Sequence, residues 1–198
     1  MSRPLTEFIF SQYLPWIKGL PGNDNIGLAH KILSIDHDFG DCSIIVKYPE
    51  KWTKESLCFD AEEELFVLDG NIEINDKVYG KSFYACFPKG FERKNISSPN
   101  GCATLSFFSK TPRQINHNSI EISKNELIEQ LNVIEMPWDE IGIDPKLNFM
   151  GIKRKTLKWD YKFSQKRTFI LATAPHNYPE NWEYEQISHP CVEEAFML

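Results

Sequence analysis

A run in the middle of the chain returns near its end. Tyr48-Pro49-Glu50-Lys51-Trp52 reappears as Tyr178-Pro179-Glu180-Asn181-Trp182, 130 residues on. Holding that offset sets Glu55 on Glu185, Glu63 on Glu193, Glu64 on Glu194, Phe66 on Phe196 and Leu68 on Leu198, nine identities in 21 positions. The match continues backwards with small gaps. Residues 31–36 face 155–160 and Gly27 faces Gly151 at an offset of 124, and Leu14-Pro15-Trp16 faces Met136-Pro137-Trp138 at 122. A repeat this long means the same structural unit begun twice, and it constrains the fold more than composition does. The gaps fall between Trp16 and Gly27 and between Asp36 and Tyr48, where loops belong.

The pattern inside the first copy is that of an all-β domain. Residues 43–46 read as a strand, and Glu64-Leu65-Phe66-Val67-Leu68 as another that ends at Asp69-Gly70, a hairpin dipeptide. Asn71-Ile72-Glu73-Ile74 returns with period two, Asn75-Asp76 turns the chain again into Lys77-Val78-Tyr79, and residues 82–87 follow after Gly80. Pro88-Lys89-Gly90 is a rigid turn, and Ala103-Thr104-Leu105-Ser106-Phe107-Phe108 is the last clear strand. Short strands punctuated by Gly and Pro predict an antiparallel jelly roll or small barrel. Residues 1–122 are expected to form it. Ser123-Lys124-Asn125-Glu126, a capping box before Leu127, Ile128 and Leu131, predicts a short linker helix over 123–135. Residues 136–198 should open a second copy. Because Leu198 corresponds to Leu68, the chain is expected to stop inside a strand of that copy, leaving open edges that pair with the first barrel or with another chain.

A chain of 198 residues can bury a core of its own. Its net charge of -6 argues against nucleic acid or an anionic membrane as partner. No apolar run approaches the roughly 20 residues that span a bilayer. Residues 1–16 do not read as a signal peptide, since Phe8-Ile9-Phe10 is short and follows Glu7. A cytoplasmic protein is expected. Cys42, Cys58, Cys86, Cys102 and Cys191, odd in number and without a CxxC, are then expected as reduced core thiols. His30, His37, His117 and His176 have no ligand spacing and read as solvated or turn residues. Phe59, Phe66, Phe83, Tyr84 and Phe87 read as core.

Glu63-Glu64-Leu65-Phe66-Val67-Leu68-Asp69-Gly70, a glutamate and a glycine with six residues between them, resembles the first cupin motif. Pro88-Lys89-Gly90 resembles the turn of the second. With its Pro-Trp segments and tandem copies, the chain is similar to ChrR-like two-cupin proteins and acetylacetone-cleaving dioxygenases. The resemblance implies a cupin (RmlC-like) barrel followed by the first strands of a second. It implies little about activity, because the fold hosts many.

Metal-binding cupins of this kind place two His and one Glu of the first motif beside a His of the second. Imidazoles and a carboxylate suit iron, zinc or manganese. In the first copy the paired His positions hold Leu57 and Phe59, or Ser56 and Cys58, and Arg93 stands at the second-motif His. Only Glu63 remains, so no metal cofactor is expected in the first barrel. Alternation turns Glu63 opposite to Glu62 and Glu64, and the motif assigns it inward. Arg93 then either reaches Glu63 and supplies the lost positive charge, or points to solvent between Glu92 and Lys94. In the second copy His189 faces Phe59, four residues before Glu193, while Ile187 fills the partner position. His189 and Glu193 would be half of a divalent-metal site in an intact second barrel.

Three functions stay open at this point. One is a small-molecule-binding cupin, with Glu63, Arg93, Phe59 and Cys58 lining the site and Arg93 able to hold an acidic ligand. Another is part of a metal-dependent two-cupin enzyme, dioxygenase or isomerase in type, with its metal in the second barrel. The last is a structural half that supports a partner barrel.

Overall fold

The computed structural model describes residues 8–24, 26–116, 126–159, 167–180, 182 and 194–197. They divide into two compact units, Met1–Ile134 and Glu135–Leu198. Among the described residues no helix is long and apolar enough to cross a membrane.

The first unit is an antiparallel sheet. Its strands are β1 (Ile17–Lys18), β2 (Ala29–Ile35), β3 (Cys42–Leu57), β4 (Glu63–Ile74), β5 (Lys77–Gly80), β6 (Phe83–Phe87), β7 (Arg93–Phe108) and β8 (Ile128–Asn132). Their order is β1-β2-β3-β7-β4-β6-β8, with β5 on β4. β7 is the spine of the barrel. Ser106 sits opposite Ile44 of β3 on one side and Leu65 of β4 on the other, and Leu65 in turn sits opposite Ala85 of β6. The row below runs Cys42, Phe108, Glu63, Phe87, and the row above Val46, Thr104, Val67. All of these side chains are buried. They lie two apart along each strand and so share a face. That face is mostly apolar, interrupted by Glu63, Thr104 and Ser106.

Two local expectations need correction. Asp69-Gly70 is not a hairpin turn, because β4 runs through it, with register shifts between Val67 and Asp69 and between Gly70 and Glu73. Gly70 has a φ of 71° and lies against the Gly101 backbone of β7, so the dipeptide makes a bulge instead. The hairpin turn comes at Asn75-Asp76, where both residues have positive φ and join Ile74 to its partner Lys77. The linker helix likewise does not run through 128–132, since Ile128–Asn132 is a strand whose Leu131 faces Tyr84 of β6. Pairing along the β6 edge overrides the helical spacing of Leu127, Ile128 and Leu131. The capping residues 123–125 lie outside the described residues.

The second unit holds β9 (Lys153–Trp159) and β10 (Arg167–Ala172), antiparallel, preceded by a 3-10 turn over Pro145–Met150. Its internal pairings follow those at the start of the first unit. Ile17 faces His30 and Lys31 faces Ile45 there; Asp139 faces Arg154 and Lys155 faces Ile170 here. Gly27 and Gly151 both have positive φ, 76° and 56°. Lys31 Nζ lies 4.8 Å from the Trp16 ring and Lys155 Nζ 4.6 Å from the Trp138 ring. Tyr48 and Trp52 pack with ring centroids 5.3 Å apart, Tyr178 and Trp182 with theirs 4.9 Å apart.

Candidate functional site

The row Cys42-Phe108-Glu63-Phe87 leads to the chemistry. Glu63 begins β4 and is 1% exposed, while Glu62 and Glu64 on either side are only half-buried. Glu64 instead accepts a hydrogen bond from the Tyr84 hydroxyl at 2.7 Å. Arg93 begins β7, opposite Leu57 at the end of β3, and is 4% exposed. Its Nη1 donates to Glu63 Oε2 at 2.5 Å. Of the two orientations open to Arg93, the structure has the inward one, and a cation stands against the carboxylate. The guanidinium is also clamped between rings, its carbon 5.0 Å from the Phe59 centroid and 4.6 Å from that of Phe87. Planar, weakly hydrated guanidinium suits such a slot where an ammonium would not.

Two polar atoms near this pair have no partner among the described residues: Arg93 Nε and the Tyr79 hydroxyl. Tyr79 is fully buried on β5, its ring 6.3 Å from that of Phe87. Burial first, then the Glu129 charge, push its phenol well above the usual tyrosine range. The sequence reading missed Tyr79, although strand parity could have found it. Ile72 points inward and lies opposite Tyr79 across the two-residue turn, which sends Val78 outward. Higher in the barrel, the Tyr48 hydroxyl meets the Thr104 side chain. Burial and the Glu63 charge keep that phenol protonated. The Thr104 and Ser106 hydroxyls lie 3.1 Å apart.

Cys58 and Phe59 belong to the segment that closes this end of the barrel. Gly90 N–H donates to Phe59 O at 2.9 Å, and Ile115 N–H to Cys58 O at 2.9 Å. Cys58 is buried, and burial raises its thiol pKa; the Arg93 charge opposes this only in part. It is a packed thiol beside the site. Cys42, Cys86 and Cys102 are likewise buried thiols outside any disulfide, and burial pushes Cys102 up to about 12. Cys191 lies outside the described residues.

Asp60 fastens the same segment. Its carboxylate accepts from Lys110 Nζ at 2.7 Å and from Arg113 N–H at 2.9 Å. Burial alone would raise its pKa, but these hydrogen bonds outweigh burial and hold it below the usual 3.8. A depressed carboxylate stabilises fully above its unfolded value and loses that contribution as pH falls through the folded one. Asp60→Asn is therefore expected to cost about 1 kcal/mol near neutral pH, discounted for the half-exposed Lys110, and to flatten the acid limb of stability against pH. Urea denaturation at several pH values checks this, and an unchanged acid limb would count against it.

The other histidines stand apart from Arg93. His30 was expected to be solvated, but it is buried, with Nδ1 2.8 Å from Gly19 O. His37 is exposed, His176 is half-buried, and His117 lies outside the described residues. His37 lines a surface cleft of about 330 Å³ with Phe39, Lys110, Thr111 and Arg113. That cleft is open and polar, and its Lys110 is engaged by Asp60.

The metal set implied by the cupin resemblance does not fit the first barrel. At the positions that the resemblance gives to His stand Leu57 and Phe59, or Ser56 and Cys58, and Arg93, and the guanidinium already holds the Glu63 carboxylate. Among the described residues no three His, Cys, Asp or Glu side chains are grouped to hold an ion. His189 and Glu193 lie outside the described residues.

Residues 11–198 match a family described as a domain of unknown function (DUF4437). The chain belongs to the DUF4437 family. Among solved structures, this DUF4437 chain is similar to a candidate dioxygenase from Nostoc punctiforme, at 21% identity and a TM-score of 0.63. The match covers 76% of this chain and 55% of that one, so the DUF4437 chain spans about half the Nostoc protein's length. It is also similar to an RmlC-like cupin from Ralstonia eutropha, at 14% identity and a TM-score of 0.48, over 60% of this chain and 78% of that one. A candidate acetylacetone dioxygenase from Methylibium petroleiphilum matches at 12% identity and a TM-score of 0.49, over 63% and 89%. No curated protein matches the DUF4437 chain. Its all-β fold is similar to that of the Nostoc protein.

Proposed function

We propose that the first barrel binds a small organic molecule in its interior without a metal. Arg93 stands where metal-binding cupins carry the charge of their ion. The observation that carries this reading is the buried Arg93–Glu63 pair with Arg93 Nε left over. A purely structural barrel would be as stable with apolar residues at both positions, since a buried pair seldom repays its desolvation. A buried donor without a partner is costly as well, which makes sense if the barrel is built around something that accepts from it.

A second reading keeps the chain as part of a metal-dependent two-cupin enzyme, dioxygenase or isomerase in type. Iron, zinc or manganese would then sit at His189 and Glu193, completed by further ligands of an intact second barrel. The repeated β-pairing of Glu135–Leu198 favours it.

Native mass spectrometry and elemental analysis of one gently purified sample separate the two. The first reading expects an organic mass retained on the protein, lost in Arg93→Lys, with no stoichiometric transition metal after dialysis. About one equivalent of iron, zinc or manganese would establish the second reading instead. Neither an organic mass nor a metal would leave the barrel a structural support and end the first.

A further inference from the structure

We infer that the ligand of the first barrel is uncharged and presents a carbonyl oxygen to Arg93 Nε and the Tyr79 hydroxyl. The inference rests on the small-molecule reading above and adds the chemical class of the ligand. It departs from the acidic ligand that the sequence suggests for Arg93.

The first step is the location of the unpaired groups. Tyr79 and Arg93 come from different strands, β5 and β7, and both pack against one ring, Phe87. The Tyr79 ring is 6.3 Å and the Arg93 guanidinium carbon 4.6 Å from the Phe87 centroid. Tyr79 is 0% and Arg93 4% exposed, so bulk water reaches neither. Native proteins leave few buried polar atoms unpaired, and two in one neighbourhood mark a place where an acceptor belongs. Phe91, partly buried, stacks on Phe87 at 5.6 Å and extends the apolar wall.

The second step is charge. Alone, Arg93 would attract a carboxylate. Here its charge is already met by Glu63 at 2.5 Å, and both side chains are almost fully buried. An anionic ligand would leave two negative groups around one cation, and an excess charge in a dry interior is strongly disfavoured. An uncharged ligand leaves the balance intact.

The third step is geometry of acceptance. Arg93 Nε offers one hydrogen and the Tyr79 hydroxyl another. A carbonyl oxygen carries two lone pairs in a plane and can accept from two donors arriving from different directions. The rest of the molecule would lie along Phe59, Phe87 and Phe91.

The test uses the full ¹⁵N-labelled chain and three probes built on the same five-membered ring: cyclopentanone, cyclopentanecarboxylate and cyclopentane. The reporter is the Arg93 Nε–H resonance, assigned by its loss in Arg93→Lys. Cyclopentanone is expected to shift it saturably, with the carboxylate and the hydrocarbon at least about tenfold weaker, the loss of one good polar contact. Tyr79→Phe should weaken cyclopentanone about three- to tenfold, the net worth of one hydrogen bond. Without ligand, that variant should melt no lower than the wild type, since the hydroxyl it removes has no partner. If the carboxylate binds as tightly as the ketone, the uncharged class is overturned and the small-molecule reading survives. If Tyr79→Phe leaves ketone affinity unchanged, Tyr79 is not a contact and the two-donor site is overturned. If no probe moves the resonance, the inference falls; the small-molecule reading falls with it only if native mass spectrometry also retains no organic mass.

Discussion

Arg93→Met is expected to destabilise the first barrel by about 3–5 kcal/mol, the usual cost of leaving one member of a buried ion pair without the other. The mechanism is electrostatic more than steric. Methionine fills much of the same slot between Phe59 and Phe87, so the apolar contacts are largely kept. What remains is the Glu63 carboxylate, 1% exposed in the apolar row with Cys42, Phe108 and Phe87. It must take up a proton or drag water into the barrel. The double variant Glu63→Leu/Arg93→Met removes the orphan charge along with its partner. It is expected to recover at least about 2 kcal/mol of the single variant's loss, because apolar replacement of a whole buried pair is often neutral or better. Urea denaturation of the wild type and the two variants supplies the comparison. Single and double variants of equal stability would mean that Arg93 contributes packing alone and that Glu63 is not held as a charge.

The inward Glu63 could be read from the sequence because two arguments agree on it. Period-two alternation separates it from Glu62 and Glu64, and the cupin motif fixes which side is inside. Arg93 could be placed opposite it only through that motif, since Glu92 and Lys94 make the local run look like a solvated turn. The helix expected over 123–135 failed at Ile128–Asn132 for a different reason. Spacing near 3.6 over Leu127, Ile128 and Leu131 is a local signal, while the β6 edge that captures these residues is set by chain far earlier in the sequence. Tyr79 was legible through the parity of Ile72 and Ile74, yet its unpaired hydroxyl was not. A missing partner depends on every strand around it.

Asp69-Gly70 shows most clearly what a short motif can and cannot say, and it carries the second large effect. The dipeptide signals a residue with positive φ, and Gly70 has one, at 71°. Whether the chain then turns back or runs on is decided across the sheet. Here β7 brings its own glycine, Gly101, against Gly70, and the two backbones meet without side chains between them. A Cβ on Gly70 would fall on Gly101 O, well inside van der Waals contact, and only 3.1 Å from Cys102 Cα. Both obstacles are backbone atoms of the central strand and cannot swing aside. Gly70→Ala is therefore expected to cost about 3–4 kcal/mol, combining left-handed strain of about 1–2 kcal/mol with a forced separation of β4 from β7. Gly80→Ala is the control. Its Cβ would approach nothing closer than Phe83 Cδ2 at 3.9 Å, and its φ lies outside the left-handed region. That change should stay within about 1 kcal/mol and can stabilise by restricting the unfolded chain. Thermal and urea denaturation of the two variants side by side distinguish a bulge from a turn. A genuine two-residue turn at Asp69-Gly70 would keep Gly101 away and let alanine cost only the backbone strain. Equal losses in the two variants would therefore remove the bulge, and with it the path that carries β4 past Gly70 to Ile72, opposite Tyr79.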